Sequence, residues 1–279
     1  MTRIDAHMHV WDPQRGDYGW LTPQLKPLYR RFGPEHARPL LNASLVDGAI
    51  LVQAAPTEAE SEYLLGIARA MPWVKGIVGW IDFDAADSVE RLHRWASRPE
   101  AVGVRPMLQD LEDPEWILDS RRAGVLQAIA ERSLVFDALI HPMHLNVIDV
   151  LATRHPDLTI VVNHAAKPDI GSRVDAGWRA GMQQVARHSN VRCKFSGLMT
   201  QLTPGTSREA VRAVFAELLE MFGVERLIWG SDWPVLTMAA TYEEWRTVSL
   251  DCIESLETAS REAILGGNAI RTYRLEQKQ

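Results

Sequence analysis

Eight short apolar runs alternate with segments of helical period along this chain, and that alternation restricts the fold more than any other feature. The runs fall at 3–10, 46–54, 74–81, 101–106, 134–140, 158–163, 191–196 and 226–231. The segments between them carry helix signals: Thr57-Glu58-Ala59-Glu60 reads as a capping box ahead of Tyr63, Leu64, Ile67 and Ala68. Gly223 follows the stripe Val211, Val214, Phe215, Leu218, Leu219 and Phe222, where a helix C-terminus belongs. Apolar strands joined by helices make a parallel sheet covered on both faces. Eight repeats predict an α/β fold closed into a single (β/α)8 TIM barrel, with an open doubly wound sheet as the alternative. The 279 residues suit such a barrel and no composition break marks a linker, so one domain over 1–279 is expected.

Two stretches stand outside the alternation. Asp12 to Arg38, rich in Pro, Gly and aromatic residues, reads as a long irregular loop after strand 1, and loops of that length usually serve function. Ser260 to Leu275 reads as one or two further helices, broken at Gly266-Gly267.

Polar residues gather at the ends of the apolar runs. Alternate side chains of a strand share a face, so His7-Met8-His9 aims two imidazoles one way and leaves Ile4, Ala6, Met8 and Val10 on the other side. Gln53 ends the second run, Arg105 the fourth, His141 the fifth, His164 the sixth, Lys194 and Ser196 the seventh and Asp232 the eighth. In an α/β barrel those ends meet at one mouth, which holds the active site. Imidazoles with a carboxylate make a nitrogen and oxygen site suited to one divalent ion, zinc first. His7, His9, His141, His164 and Asp232 are therefore the candidate ligands, with Asp232 as general base for a metal-activated water. A single barrel histidine is equally an ordinary hydrogen-bonded residue, and His141 reads either way.

Gln53 closes the second strand on the same ring. Arg105 and Lys194 are candidate substrate cations and Lys167 a loop cation beside them, each with an ion pair or a solvated surface as its plain reading. Trp11, Trp20, Trp80 and Trp233 flank strand ends, where aromatic faces suit a sugar-like ligand, while Trp73, Trp95, Trp178 and Trp245 fit packing positions.

Charge and composition exclude several classes. With 36 acidic against 30 basic residues and no basic run, nucleic acid is not an expected partner. No apolar stretch approaches the roughly 18 residues of a membrane span and none leads the chain, so a cytoplasmic protein with no membrane partner is expected. Cys193 and Cys252 lie far apart and read as packing residues.

Together the motifs resemble the amidohydrolase superfamily, and more closely its amidohydrolase-2 branch of sugar-lactone and 2-pyrone-4,6-dicarboxylate lactonases. They are Ile4 to Trp11, Gly79-Trp80, Gly103-Val104-Arg105, Asn163-His164-Ala165-Ala166-Lys167-Pro168, Lys194-Phe195-Ser196-Gly197, Gly230-Ser231-Asp232-Trp233-Pro234 and Gly267-Asn268-Ala269. The resemblance implies a lactone ring opened by water, with Asp232 and His164 catalytic and the substrate at the mouth near Gln53, Trp80, Arg105, Lys167, Lys194 and Trp233. It places His7, His9, His164 and Asp232 at the superfamily's metal positions on strands 1, 6 and 8, and His141 at its strand-5 position. Arg105 stands near the place of the strand-4 lysine of binuclear members, so a single divalent ion is implied, and a metal-free route through the histidines and cations is the alternative. Ala166 stands where relatives often have glycine.

A sugar-acid (aldono) lactone is the leading substrate expectation, and self-association is left open. A metal-dependent nonoxidative decarboxylase of an aromatic or unsaturated acid on the same barrel is the competing enzyme, and a non-catalytic binding barrel the third reading.

Overall fold

The computed structural model describes residues 2–171 and 175–275. Its strands are β1 (Ile4–Met8), β2 (Gly48–Val52), β3 (Val74–Gly79), β4 (Ala101–Val104), β5 (Val135–Ala138), β6 (Ile160–Val162), β7 (Val191–Phe195) and β8 (Leu227–Trp229). All eight expected runs form strands, each inside its expected bounds. They pair in parallel in sequence order from β1 to β8. The circle closes just past the last ladder residues: the Asp232 amide donates to the His7 carbonyl at 2.8 Å, and the His9 amide to the Trp233 carbonyl at 2.7 Å. These bonds join the two chain segments that carry three of the site's side chains.

Among the described residues, eight helices cover the outside: α1 (Pro34–Ala43), α2 (Glu58–Ala70), α3 (Ser88–Ala96), α4 (Ala123–Glu131), α5 (Leu145–Arg154), α6 (Ala176–Ala186), α7 (Glu209–Phe222) and α8 (Tyr242–Ile253). Their apolar stripes and the outward strand residues form the larger core, which includes Trp73, Trp95, Trp178 and Trp245 as expected. A smaller apolar cluster, Ile4, Ala6, Ile50, Val52, Val78, Val102, Val135, Val161 and Ile228, draws on seven strands and on none of these eight helices, so it fills the barrel interior. Tyr273 and Leu275 plug it from below.

Four local expectations are corrected. The register of β1 against β2 shifts between Asp5 and Met8. Strict alternation therefore fails across that point: Ile4 and Ala6 join the interior cluster, whereas Met8 and Val10 join the outer core. A bulge of this kind re-aims side chains, and here it turns both His7 and His9 into the barrel mouth. The loop after strand 1 is shorter than expected, because Pro34 at the first turn starts α1. The capping box is half formed. Thr57 accepts from the Glu60 amide, but the Glu60 carboxylate accepts instead from the amides of Ala54 and Ala55, at 2.8 and 2.5 Å, and ties down the loop after β2. Finally, Gly266-Gly267 is no break. It lies in a π turn (Ala263–Gly267) between two α-helical pieces, Thr258–Glu262 and Asn268–Tyr273. A side chain at Gly266 would clash with the Thr2 carbonyl, so the glycine serves close approach to the strand-1 segment.

Gly223 does end α7, with φ 66° and its amide bonded to the Leu219 carbonyl. Cys193 and Cys252 are both free and buried.

Candidate active site

His7, His9, His164 and Asp232 meet at the floor of the mouth. The three Nε2 atoms lie 3.8, 3.3 and 3.6 Å from a single oxygen, Oδ1 of Asp232. All four side chains are buried. The His7 ring centroid is 4.9 Å from that of His9 and 4.4 Å from that of His164.

Each imidazole is aimed by its other nitrogen. His9 Nδ1 lies 2.7 Å from the Val52 carbonyl. A carbonyl only accepts, so Nδ1 carries the hydrogen and Nε2 presents a lone pair to the centre. His164 Nδ1 is 2.9 Å from Ser196 Oγ. His7 Nδ1 is 3.1 Å from Lys194 Nζ. Gly197, at φ 65°, lets the His164 ring approach its backbone, since a Cβ there would lie 2.5 Å from Nδ1.

The turn that delivers His164 is unusual. His164, Ala165, Ala166 and Lys167 have φ values of 52°, 50°, 58° and 54°. Four successive non-glycine residues in the left-handed region are strained, at roughly 1–2 kcal/mol each. Bonds from Trp178 Nε1 to the Ala165 carbonyl at 2.7 Å and from the Lys167 amide to the His164 carbonyl at 2.8 Å hold the turn. Ala166 thus adopts the conformation that a glycine would take freely.

Electrostatics keep the cluster ready for a cation. Burial depresses the basicity of all three imidazoles. His7 falls well below the ordinary range, with Lys194, His164, His9 and Arg105 adding to the effect. His9 is lowered by burial against the opposing pull of Asp232, and His164 is pushed down to about 3 by burial despite Asp232. Burial alone would raise Asp232, but His164, His9 and Lys167 hold it below the usual carboxylate range. Neutral imidazoles and an ionised carboxylate are the protonation states that metal ligation requires.

The donor set fits a divalent ion. One ligand atom each from His7, His9 and Asp232 lies within 4.8 Å of the others, and His164 Nε2 faces the same carboxylate oxygen. Borderline nitrogen donors with one carboxylate are the chemistry of zinc and its neighbours. His141 stands apart: it is exposed at the rim beside His144, with ring centroids 6.4 Å apart.

A cavity of 220 Å³ opens above the cluster. His9, His164, Asp232, Arg105 and Lys167 supply its polar wall, and Trp11, Trp20, Met107, Leu139 and Val235 its apolar one. The loop after β1 forms part of this wall, pinned by Trp20 Nε1 to the Ala54 carbonyl at 2.6 Å and by Trp11 Nε1 to the Arg30 carbonyl at 3.0 Å. Lys167 Nζ donates to Gln109 Oε1 at 2.5 Å. Arg105 donates to Gln53 Oε1 at 3.0 Å and approaches His7 Nε2 at 3.3 Å.

The other expected substrate contacts do not line this first cavity. Gln53 is fully buried and braces Arg105. Trp233 is buried with its ring centroid 5.3 Å from that of Phe32. Trp80 lines a second cavity beside the first. Lys194 sits below His7, fully buried, paired with Asp137 at 2.5 Å.

Sequence reasoning missed Asp5 and Asp137, whose signal was an acidic residue inside an apolar strand. It also missed Tyr242 and Tyr273, on elements that carried no such signal, and the cavity residues Met107, Gln109, Asp110 and Leu139 in the loops after β4 and β5.

A family model described as Amidohydrolase matches residues 4–275. The chain belongs to that amidohydrolase family. It is 39% identical to an L-fucono-1,5-lactonase of Burkholderia ambifaria, over 98% of this chain and 96% of that protein. A second L-fucono-1,5-lactonase, from Burkholderia multivorans, is 34% identical over 98% and 96% of the two chains. Among solved structures, an amidohydrolase of Burkholderia multivorans with bound zinc is 31% identical, covers 98% of this chain and 99% of its own, and superposes with a TM-score of 0.93. A 2,6-dihydroxybenzoate decarboxylase is only 13% identical at a TM-score of 0.69, a likeness of fold alone.

Proposed function

We propose that this amidohydrolase opens a sugar-acid 1,5-lactone by hydrolysis. The observation that carries the reading is the convergence of three imidazole Nε2 atoms on Asp232 Oδ1 at the floor of a cavity that is cationic on one side and aromatic on the other. The two lactonase relatives support it, and L-fucono-1,5-lactone is the first substrate to test.

His7, His9, His164 and Asp232 would hold one divalent ion, zinc first in view of the zinc-bound relative. A bound divalent ion supplies Lewis acidity toward the ring carbonyl and its attacking water. The chain's own groups do the rest. The half-buried Trp20 indole, backed by the fully buried Trp11, packs on the C–H face of the sugar ring. Arg105 and Lys167 place positive charge where the carbonyl oxygen becomes negative.

Asp232, kept ionised, takes one proton from water as its oxygen bonds to the ring carbonyl carbon. As the carbonyl re-forms, the bond to the ring oxygen breaks, and Asp232 returns that proton to the departing oxygen. The products are a hydroxyl and a carboxylic acid, which loses its proton to solvent.

The test is hydrolysis of a panel of aldono-1,5-lactones followed with a pH indicator, with and without a chelator. Turnover that selects among stereoisomers supports the reading, and chelator sensitivity assigns the metal its part. Carbon dioxide release from aromatic acids with no lactone turnover would replace lactone hydrolysis by decarboxylation.

A further inference from the structure

The catalytic cavity continues sideways into a second, larger one of 500 Å³, and the two share Trp20, Met107 and Asp110 as a common wall. The second cavity runs along the loops that follow β2, β3 and β4. Pockets that hold drug-sized ligands span about 300–1,000 Å³. At 220 Å³ the catalytic cavity suits a single ring, and the space beside it exceeds what one lactone needs.

Its lining has a definite chemistry. Trp80 and Trp116 present indoles, and the Phe83 ring lies 5.9 Å from that of Trp116. Trp116 is fixed before any ligand arrives: its Nε1 donates to Asp84 Oδ2 at 3.0 Å and the Arg122 guanidinium covers one face at 3.8 Å. Three carboxylates, Asp82, Asp84 and Asp110, border the same space; Asp84 is paired with Arg122, and among the described residues no lysine or arginine lines the cavity itself. Aromatic platforms take the C–H faces of a ring, and carboxylates accept from hydroxyls. The acidic charge of Asp82 and Asp110 disfavours an anionic group such as a uronate.

From this we infer that the second cavity is a subsite for a neutral sugar ring attached to the lactone, so that the preferred substrate is a 1,5-lactone derived from a disaccharide. The inference rests on the lactone-hydrolysis reading for the adjoining site. Leu111, 37% exposed at the edge of the second cavity, offers a position from which a larger side chain would fill it.

The experiment measures kcat/KM for 1,5-lactones of disaccharides that differ in linkage, against the parent monosaccharide lactone. Calorimetry on the corresponding sugar acids runs in parallel. At least one linkage should exceed the parent by about tenfold, the order of one well-packed ring. Leu111→Trp and Trp116→Ala should erase that advantage and leave the parent rate unchanged.

No linkage better than the parent, or an advantage that survives both substitutions, overturns the subsite while leaving the lactonase reading intact. An equal gain from a lactone bearing a plain aryl group also overturns it, since the space would then be generically aromatic. Absence of turnover with every lactone defeats the lactonase reading, and the calorimetry then decides the subsite. Tighter binding of a disaccharide acid that Leu111→Trp abolishes upholds it, and equal Kd values for both acids reject it.

Discussion

The Tyr242 hydroxyl donates a 2.9 Å hydrogen bond to Asp5 Oδ2, linking α8 to the first strand across 237 residues. The other oxygen of that carboxylate accepts from the amides of Ser231 at 2.9 Å and His7 at 3.1 Å. One side chain therefore sets the spacing between the strand that carries His7 and the segment that carries Asp232. Tyr242→Phe removes a buried donor and should lower stability by about 1–2 kcal/mol. It should also weaken zinc retention several-fold, because outer-shell bonds orient ligands. Urea unfolding and zinc titration check the two effects, and unchanged zinc affinity would make Asp5 a structural clamp alone.

Asp232 is the group on which the three imidazoles converge, and general bases contribute about 10²–10⁴-fold. Asp232→Asn keeps the size and the buried position but cannot accept the water's proton. The expected result is a loss of kcat of at least about 10²-fold with an unaltered circular dichroism spectrum. A variant within a few-fold of the parent rate would move the base role elsewhere, His164 being next in line.

His141 is exposed, with its ring centroid 6.4 Å from that of His144, and it is not part of the His7, His9 and Asp232 group. His141→Ala should bind a divalent ion such as zinc as the parent does and stay within about twofold of the parent rate, since surface substitutions away from special features have small effects. Metal analysis after dialysis decides the point, and a zinc-deficient variant would return His141 to the ligand set.

The alternation of apolar runs made the barrel legible, because parallel strands buried on both faces are continuously hydrophobic and helices keep their own period. His7, His9, His164 and Asp232 were legible for the same reason: the end of a barrel strand is the mouth. What escaped was set by geometry that sequence does not encode locally. The bulge in β1 depends on pairing with β2, and Glu60 left its capping role because the Ala54 and Ala55 amides lay within reach. His141 sits at the right strand end, but its side chain is exposed there, whereas His7, His9 and His164 are buried. Lys194 and Gln53 could not be separated from Arg105 by position alone. All three end strands, and depth in the barrel decides which of them reaches the cavity.

Lys194 is fully buried between Asp137 and His7, and Asp137 also accepts from Tyr273 at 2.7 Å. Removing one partner of a buried pair leaves an uncompensated charge and typically costs 3–5 kcal/mol, roughly, whereas replacing both is far milder. Lys194→Met should thus destabilise strongly, and Lys194→Met with Asp137→Leu should recover much of the loss. A double-mutant cycle in urea tests this. A Lys194→Met protein of normal stability with a raised KM would instead make Lys194 a substrate ligand.

The three imidazoles also predict how the metal-free protein responds to acid. His164 titrates at about 3 in the fold against 6.5 for an ordinary histidine, and burial shifts His7 and His9 the same way. Below pH 6.5 the unfolded chain binds protons that the folded site refuses, so stability is intact above 6.5 and lost as pH falls toward 3. Each excluded proton contributes about 1.4 kcal/mol per pH unit across that window. Depressed Asp232 acts in the same direction, its share lost as pH falls through its folded-state value. Denaturation midpoints of chelator-treated protein should therefore fall between pH 6.5 and 4.5. His164→Gln should reduce that slope by about one proton's worth. Parallel slopes for the parent and the variant would show that His164 is already protonated in the fold, and would remove the neutral imidazole on which its ligand role depends.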